Sequence, residues 1–146
     1  MSDASVLLVD DEVPFVETLV KRLAKRDLRV EAAYSGPEAL EKLAAKGPTT
    51  TDVVILDVKM PGMDGIETLS RIKEEHPMIE VIMLTGHATV ESAIDGMKRG
   101  AFDYLMKPCE IDTLVQKVSQ AAAKKREHEM KILEARATMI TLRRGD

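Results

Sequence analysis

The residues of this chain able to do chemistry stand at the ends of apolar runs. Asp10, Asp11 and Glu12 follow Val6–Val9, and Asp57 closes the run DVVILD. Thr85, Gly86 and His87 follow Glu80–Leu84, and Lys107 stands just ahead of Pro108. Three carboxylates brought close, Asp10, Asp11 and Asp57, repel one another, so one takes up a proton or a cation lies between them. Oxygen ligands with no His or Cys beside them favour a hard ion. A few carboxylates completed by water suit Mg2+ better than Ca2+. Such an ion leaves positions for a phosphoryl oxygen, with the Thr85 hydroxyl and the Lys107 ammonium available to the other oxygens. One of the acids can then serve as a nucleophile. Asp57 is the best placed, being single, at the end of the strongest apolar run and followed by the Pro61-Gly62 turn.

Taken singly, each of these residues has an ordinary reading. Asp10-Asp11 would cap a helix, Asp57 would start a turn, Thr85 would be a cap or a core hydroxyl, and Lys107 a solvated lysine. The chemical reading depends on all of them meeting, which is a question about the elements that carry them.

Those elements alternate. Val6–Val9, Arg29–Tyr34, Asp52–Asp57, Glu80–Leu84 and Phe102–Met106 read as strands. Between them lie helical stripes: Val16, Leu19, Val20 and Leu23; Ala39, Leu40, Leu43 and Ala44; Ile66, Leu69 and Ile72; Val90, Ala93, Ile94 and Met97. Pro14 suits a first turn, and Ser35 with Glu38 has the capping-box spacing. Asp64 with Glu67 and Thr89 mark two further helix starts, while Gly47-Pro48 and Gly100 mark stops. A long helix follows from about Glu110. Short connections make each strand–helix–strand unit a right-handed parallel crossover, and apolar strands need helices on both faces. The expected fold is α/β, a doubly wound five-stranded parallel sheet. In such a sheet the carboxyl ends of the strands form one rim, where ligands bind, and every candidate residue falls on it. Alternation along the fifth strand predicts Phe102 and Tyr104 on one face.

The bulk composition is compatible with this. The 146 residues fit one domain, 45% are hydrophobic, and with no Trp the core must be aliphatic. Net charge is −4, which gives no global pull toward nucleic acid. Residues 121–146 hold seven bases and four acids, so a mildly basic tail follows an acidic body. One cysteine, Cys109, excludes an internal disulfide and is assigned no role. No run approaches the roughly 18–20 apolar residues of a membrane span, and no signal sequence is evident. The expectation is a cytoplasmic protein without membrane contact.

The stretches LLVDDE, ILDVKMPGMDG, LTGHA and GAFDYLMKP, in that order over residues 4–120, resemble the receiver domain of two-component response regulators. The resemblance implies a flavodoxin-like strand order 2-1-3-4-5. It implies that Asp57 accepts a phosphoryl group from a sensor histidine kinase or a histidine phosphotransfer protein. It makes Asp11, Asp57 and the Lys59 backbone carbonyl direct Mg2+ ligands, with Asp10 acting through water. Lys107 would pair with the phosphorylated carboxylate, Thr85 would be the switch hydroxyl, Tyr104 the aromatic rotor, and Lys107–Pro108 a cis peptide. TGHATVESAIDGMKRGAFDYLMKP further resembles receivers of NtrC-like activators, which carry an ATPase and a DNA-binding domain. No GxxxxGK[ST] loop occurs here, so no direct nucleic-acid binding is expected of this chain. A stand-alone regulator and a piece of a longer one both fit.

Residues 1–122 are thus expected to form the receiver and 123–146 a helical extension. There Met130, Leu133, Ala137 and Ile140 follow a heptad seam suited to a homodimer; a frayed charged helix is the alternative. Lys59 and His87 are solvated residues or neighbours of the phosphoryl group. Two other classes of function would draw on part of the same set. An aspartyl-nucleophile phosphatase places a second acid two residues after the first, where this chain has Lys59. An unphosphorylated interaction module has no need of the intact acid, hydroxyl and lysine set.

Overall fold

The computed structural model describes residues 4–46 and 50–143. Five strands alternate with five helices: β1 Ser5–Val9, α1 Val13–Ala24, β2 Arg29–Ala33, α2 Gly36–Lys46, β3 Val53–Leu56, α3 Gly65–Glu75, β4 Glu80–Thr85, α4 Val90–Lys98, β5 Asp103–Met106 and α5 Ile111–Arg143. The sheet order is β2-β1-β3-β4-β5, all pairs parallel. The doubly wound sheet and its strand order are as expected; the Gly47-Pro48 stop lies outside the described residues.

Strands β1, β3 and β4 are apolar on both faces because both faces are covered. On one side Val6, Leu8, Ile55 and Ile82 meet Val16, Leu19 and Leu23 of α1 and Leu114 and Val118 of α5. On the other, Leu7, Val54, Leu56 and Met83 meet Leu40 and Leu43 of α2 and Leu69 and Ile72 of α3. The helix starts follow local chemistry. Pro14 occupies the first turn of α1. The Asp64 carboxylate accepts from Glu67 N–H at 2.9 Å, and Thr89 and Ser92 form a reciprocal capping box on α4. At α2 the box is offset by one residue. Ser35 Oγ accepts from Glu38 N–H at 3.2 Å, but Glu38 reaches Tyr34 N–H at 2.8 Å rather than Ser35.

Two readings of the strand and helix faces are corrected. Phe102 packs on the α1/α5 side and Tyr104 on the opposite side. Phe102 lies in the bend before β5 begins, so the alternation of the strand does not reach it. The apolar stripe of α4 turns outward: Val90 is 77% exposed, and Ile94 and Met97 are exposed too. Gly96 takes the place against the sheet.

At the amino ends of the strands, α5 is pinned by charge. Asp52 accepts from Ser5 N–H at 2.9 Å, from the Lys125 ammonium at 3.2 Å and from the Arg126 guanidinium at 3.0 Å. Lys125 is 1% exposed and also pairs with Glu129 at 3.1 Å. On the adjacent strand, buried Glu80 faces Lys124 at 3.6 Å and Lys73 at 4.0 Å. Burial opposes ionisation of Asp52, yet the hydrogen bonds from Ser5, Lys125 and Arg126 outweigh it and hold its carboxyl below the usual range. The ion pairs with the body therefore run past residue 122 to Arg126, with Glu129 one turn on completing the Lys125 pair, and we propose the boundary of the folded unit at Glu129. Among the described residues no helix is long and apolar enough to cross a membrane.

Candidate functional site

Each strand delivers its last residue to one rim. The ladder continues one step past β1 and β3, with Asp10 N–H on Ala33 C=O at 3.1 Å and Asp57 N–H on Val9 C=O at 3.0 Å. This fixes Asp10 and Asp57 on adjacent strand ends. Both are buried, Asp57 to 3% exposure, while Asp11 is exposed. One carboxylate oxygen from each of Asp10, Asp11 and Asp57 lies within 4.8 Å of the others. The expected triad is thus assembled.

Lys107 reaches the same place from the end of β5, behind a cis Lys107–Pro108 bond. Its ammonium bonds Asp10 and Glu12 at 2.7 Å each and stands 3.8 Å from Asp57. Phe15 lies beneath it, with the ring centroid 4.1 Å away. The lysine therefore neighbours Asp57 as expected, but its hydrogen bonds go to strand one. Sequence reasoning placed Glu12 at this rim without giving it a role and did not see Phe15. Their spacing of three marks one helical face above Asp10-Asp11, and nothing in the sequence says that Lys107 comes to it.

Burial pushes the Asp10 carboxyl above its usual range, and the neighbouring Asp57 charge adds to this. Hydrogen bonds from Lys107 and from Glu12 N–H work against it. Burial also works against the charge on Lys107, but its bonds to Asp10 and Glu12 prevail and raise its pKa overall. The Lys107 hydrogen bond holds Glu12 below the usual range. Three carboxylates, Asp10, Glu12 and Asp57, thus stand around one ammonium, Asp11 adds a fourth beside Asp10 and Asp57, and the rim is anionic. An all-oxygen, strongly anionic set with one exposed member fits a small hard divalent cation.

Thr85, fully buried at the end of β4, accepts from His87 N–H at 3.0 Å, and its hydroxyl proton has no acceptor among the described residues. Lys59 and His87 flank an open cavity of about 470 Å3 together with Asp11, Glu12, Asp57 and Met60. Tyr104 is not part of this cluster. Its hydroxyl lies 2.6 Å from Ser92 Oγ at the start of α4. Cys109 is half-buried, and burial pushes its thiol up, away from the thiolate form that nucleophilic chemistry needs.

Gly65 was also missed. A Cβ there would lie 1.9 Å from Asp57 O and 2.7 Å from Val58 Cα. The first turn of α3 therefore rests on the backbone that carries Asp57, tied by Gly65 N–H to Val58 C=O at 2.7 Å.

Comparison with known proteins agrees with this geometry. The model of the response regulator receiver domain family matches residues 6–119. The DNA-binding transcriptional regulator NtrC of Escherichia coli (strain K12) is 40% identical over 129 residues, covering 88% of this chain and 27% of NtrC. The transcriptional regulatory protein ZraR of Klebsiella oxytoca is 39% identical over 135 residues, 92% of this chain and 30% of ZraR. The chain therefore spans less than a third of the length of these relatives. Among solved structures, a response regulator receiver domain protein from Clostridium thermocellum superposes with a TM-score of 0.79 at 36% identity, over 84% of this chain and 97% of that one. NtrX from Brucella abortus gives 0.79 at 30% identity over 90% of this chain and 30% of its own. A family match that begins in the first strand and ends in the last helix, on a backbone shared with solved receivers, classifies the molecule: it belongs to the response regulator receiver family, the phosphoacceptor domains of two-component signalling.

Proposed function

We propose that Asp57 is the phosphoacceptor, taking a phosphoryl group from a histidine of a sensor kinase or a histidine phosphotransfer protein. The observation that carries this reading is the placement of one buried carboxylate within 4.8 Å of Asp10 and Asp11 and 3.8 Å from the Lys107 ammonium. A carboxylate oxygen of Asp57 attacks phosphorus, the P–N bond to the donor imidazole breaks, and the imidazole leaves. Asp11, Asp57 and the Lys59 carbonyl would hold Mg2+, with Asp10 acting through water; when bound, the ion offsets phosphoryl charge.

Phosphorylation replaces one negative charge by about two and adds acceptor oxygens. Lys107, already charged and within reach, turns from Glu12 to the new anion. Thr85 donates its spare hydroxyl proton to a phosphoryl oxygen. Each such charge-assisted bond contributes about 1.5–3 kcal/mol, enough to reverse two packings that differ by a few kcal/mol. Tyr104, on the Thr85 side of the sheet, is the rotor that follows. The surface that changes is α4, β5 and α5, where Val90, Ile94, Met97 and Met106 already stand exposed. Met130, Leu133 and Ile140 are exposed along the outer part of α5, and we assign this seam to a homodimer.

Incubation with acetyl phosphate and Mg2+ followed by intact mass measurement tests the central claim. One phosphoryl group adds to the parent and none to Asp57→Asn or to parent treated with EDTA. Equal uptake by Asp57→Asn overturns the assignment.

A further inference from the structure

Helix α4 has few attachments to the body. Gly96 is its one buried residue, and its large apolar side chains face solvent. A Cβ on Gly96 would lie 3.6 Å from Tyr104 Cδ2, so the helix backbone sits on the Tyr104 ring. At the other end of that ring the Tyr104 hydroxyl is 2.6 Å from Ser92 Oγ, and either can donate. Ser92 Oγ is also within reach of Thr89 N–H at 3.1 Å, Thr89 Oγ1 at 3.0 Å and Thr89 C=O at 3.1 Å. A hydroxyl has one proton and two acceptor sites, so these four neighbours share three bonds. The bond to Tyr104 is the shortest of the four, and the other three all stay within the helix's own cap. Ile66 Cδ1 and Met83 Cγ, each 3.8 Å from the same Gly96 Cβ position, complete the apolar seat, so Tyr104 both shares that seat and supplies the polar tie to Ser92.

The ring is also placed to feel the phosphorylation rim. Tyr104 pairs in register with Met83, and both pack on the α2/α3 side. Thr85 lies two residues beyond Met83 on β4, hence on that same face.

We infer that Ser92 is a latch: its hydroxyl holds the Tyr104 ring in the resting position, so the ring turns only when the first turn of α4 is released. Ser92 is a positioning residue, acting through Tyr104. The link to phosphorylation rests on the switch role proposed above for Tyr104; the latch rests on the contacts alone.

Amide hydrogen exchange of the full chain separates a latch from a mere helix cap. Tyr104→Phe keeps the ring and the whole capping box and removes only the latch partner. Exchange at the amides of Ser92 and Ala93, which bond Thr89 Oγ1 and Thr89 C=O, should rise about tenfold in unphosphorylated Tyr104→Phe. Ser92→Ala should raise it at least as much, with β3 and β4 amides unchanged in both. Acceleration in Ser92→Ala with none in Tyr104→Phe overturns the latch, because the cap alone then accounts for Ser92. Acetyl phosphate and Mg2+ should speed the same amides in the parent. If they do not while Tyr104→Phe does, the latch stands and the switch role of Tyr104 falls.

Discussion

Lys107 answers to two sets of anions. At rest its hydrogen bonds go to Asp10 and Glu12, with Asp57 a step further away. A second lysine, Lys59, is exposed and lines the open cavity beside Asp57. On the phosphoacceptor reading of Asp57 proposed above, a cation at this position would attract the phosphoryl group and stand beside the path of a hydrolytic water. Lys59→Asn is expected to change the dephosphorylation rate severalfold and leave phosphorylation by acetyl phosphate intact; equal decay of the two phosphorylated proteins, followed by mass, would refute this. Gly65 gives a sharper case. An added methyl meets backbone atoms rather than a yielding side chain. Gly65→Ala should cost at least about 1–3 kcal/mol in urea denaturation and slow phosphorylation as the Asp57 backbone shifts. Asp10, Asp11, Asp57, Thr85 and Lys107 were legible in the sequence because each ends an apolar run. Glu12 beneath Lys107 and Ser92 beneath Tyr104 were not. Such contacts join residues far apart in the chain, 95 positions for the first, and leave no local pattern. Gly65 was hidden because a glycine needed for close approach reads like any loop glycine.

At the scale of elements, periodicity located every strand and helix but misjudged two faces. The stripe of α4 has the spacing of a core helix, yet it packs through Gly96, and periodicity cannot tell which partner, if any, an apolar stripe has. Phe102 was misplaced because alternation holds only within a strand, and the strand begins one residue later. The attachment of α5 was wholly unforeseen, since Lys124, Lys125 and Arg126 look like a solvated charge run. They instead meet two buried acids. Removing one partner of a buried pair typically costs about 3–5 kcal/mol. Glu129 remains for Lys125, so Asp52→Asn should destabilise by about 3 kcal/mol near neutral pH. The Asp52 carboxyl is held below its ordinary 3.8 in the folded protein. Its contribution is therefore present above that pH and is lost as pH falls through the lowered value. In chemical denaturation below about pH 4, the parent should lose stability more steeply than Asp52→Asn, so that the difference between them narrows.

The whole molecule combines an anionic rim, an outward-facing α4 and a helix that outruns its body. Residues 1–129 keep every ion pair at the base and omit the outer seam. In gel filtration the full chain should elute as a dimer and residues 1–129 as a monomer; coincident elution would remove the outer helix from the dimer assignment. The two poles of the sheet have opposite mechanical characters. The rim around Asp57 holds charges ready to change partners. The base around Asp52 holds charges already fully engaged. Beyond Arg126 the helix runs as a stiff rod about 25 Å long, welded at that base with no flexible residue at the joint. Tilting the weld by about 6° would swing the tip by roughly 2–3 Å over that length. Whatever is joined to the tip would therefore move with the body as one lever, and any small tilt of the base would arrive there magnified.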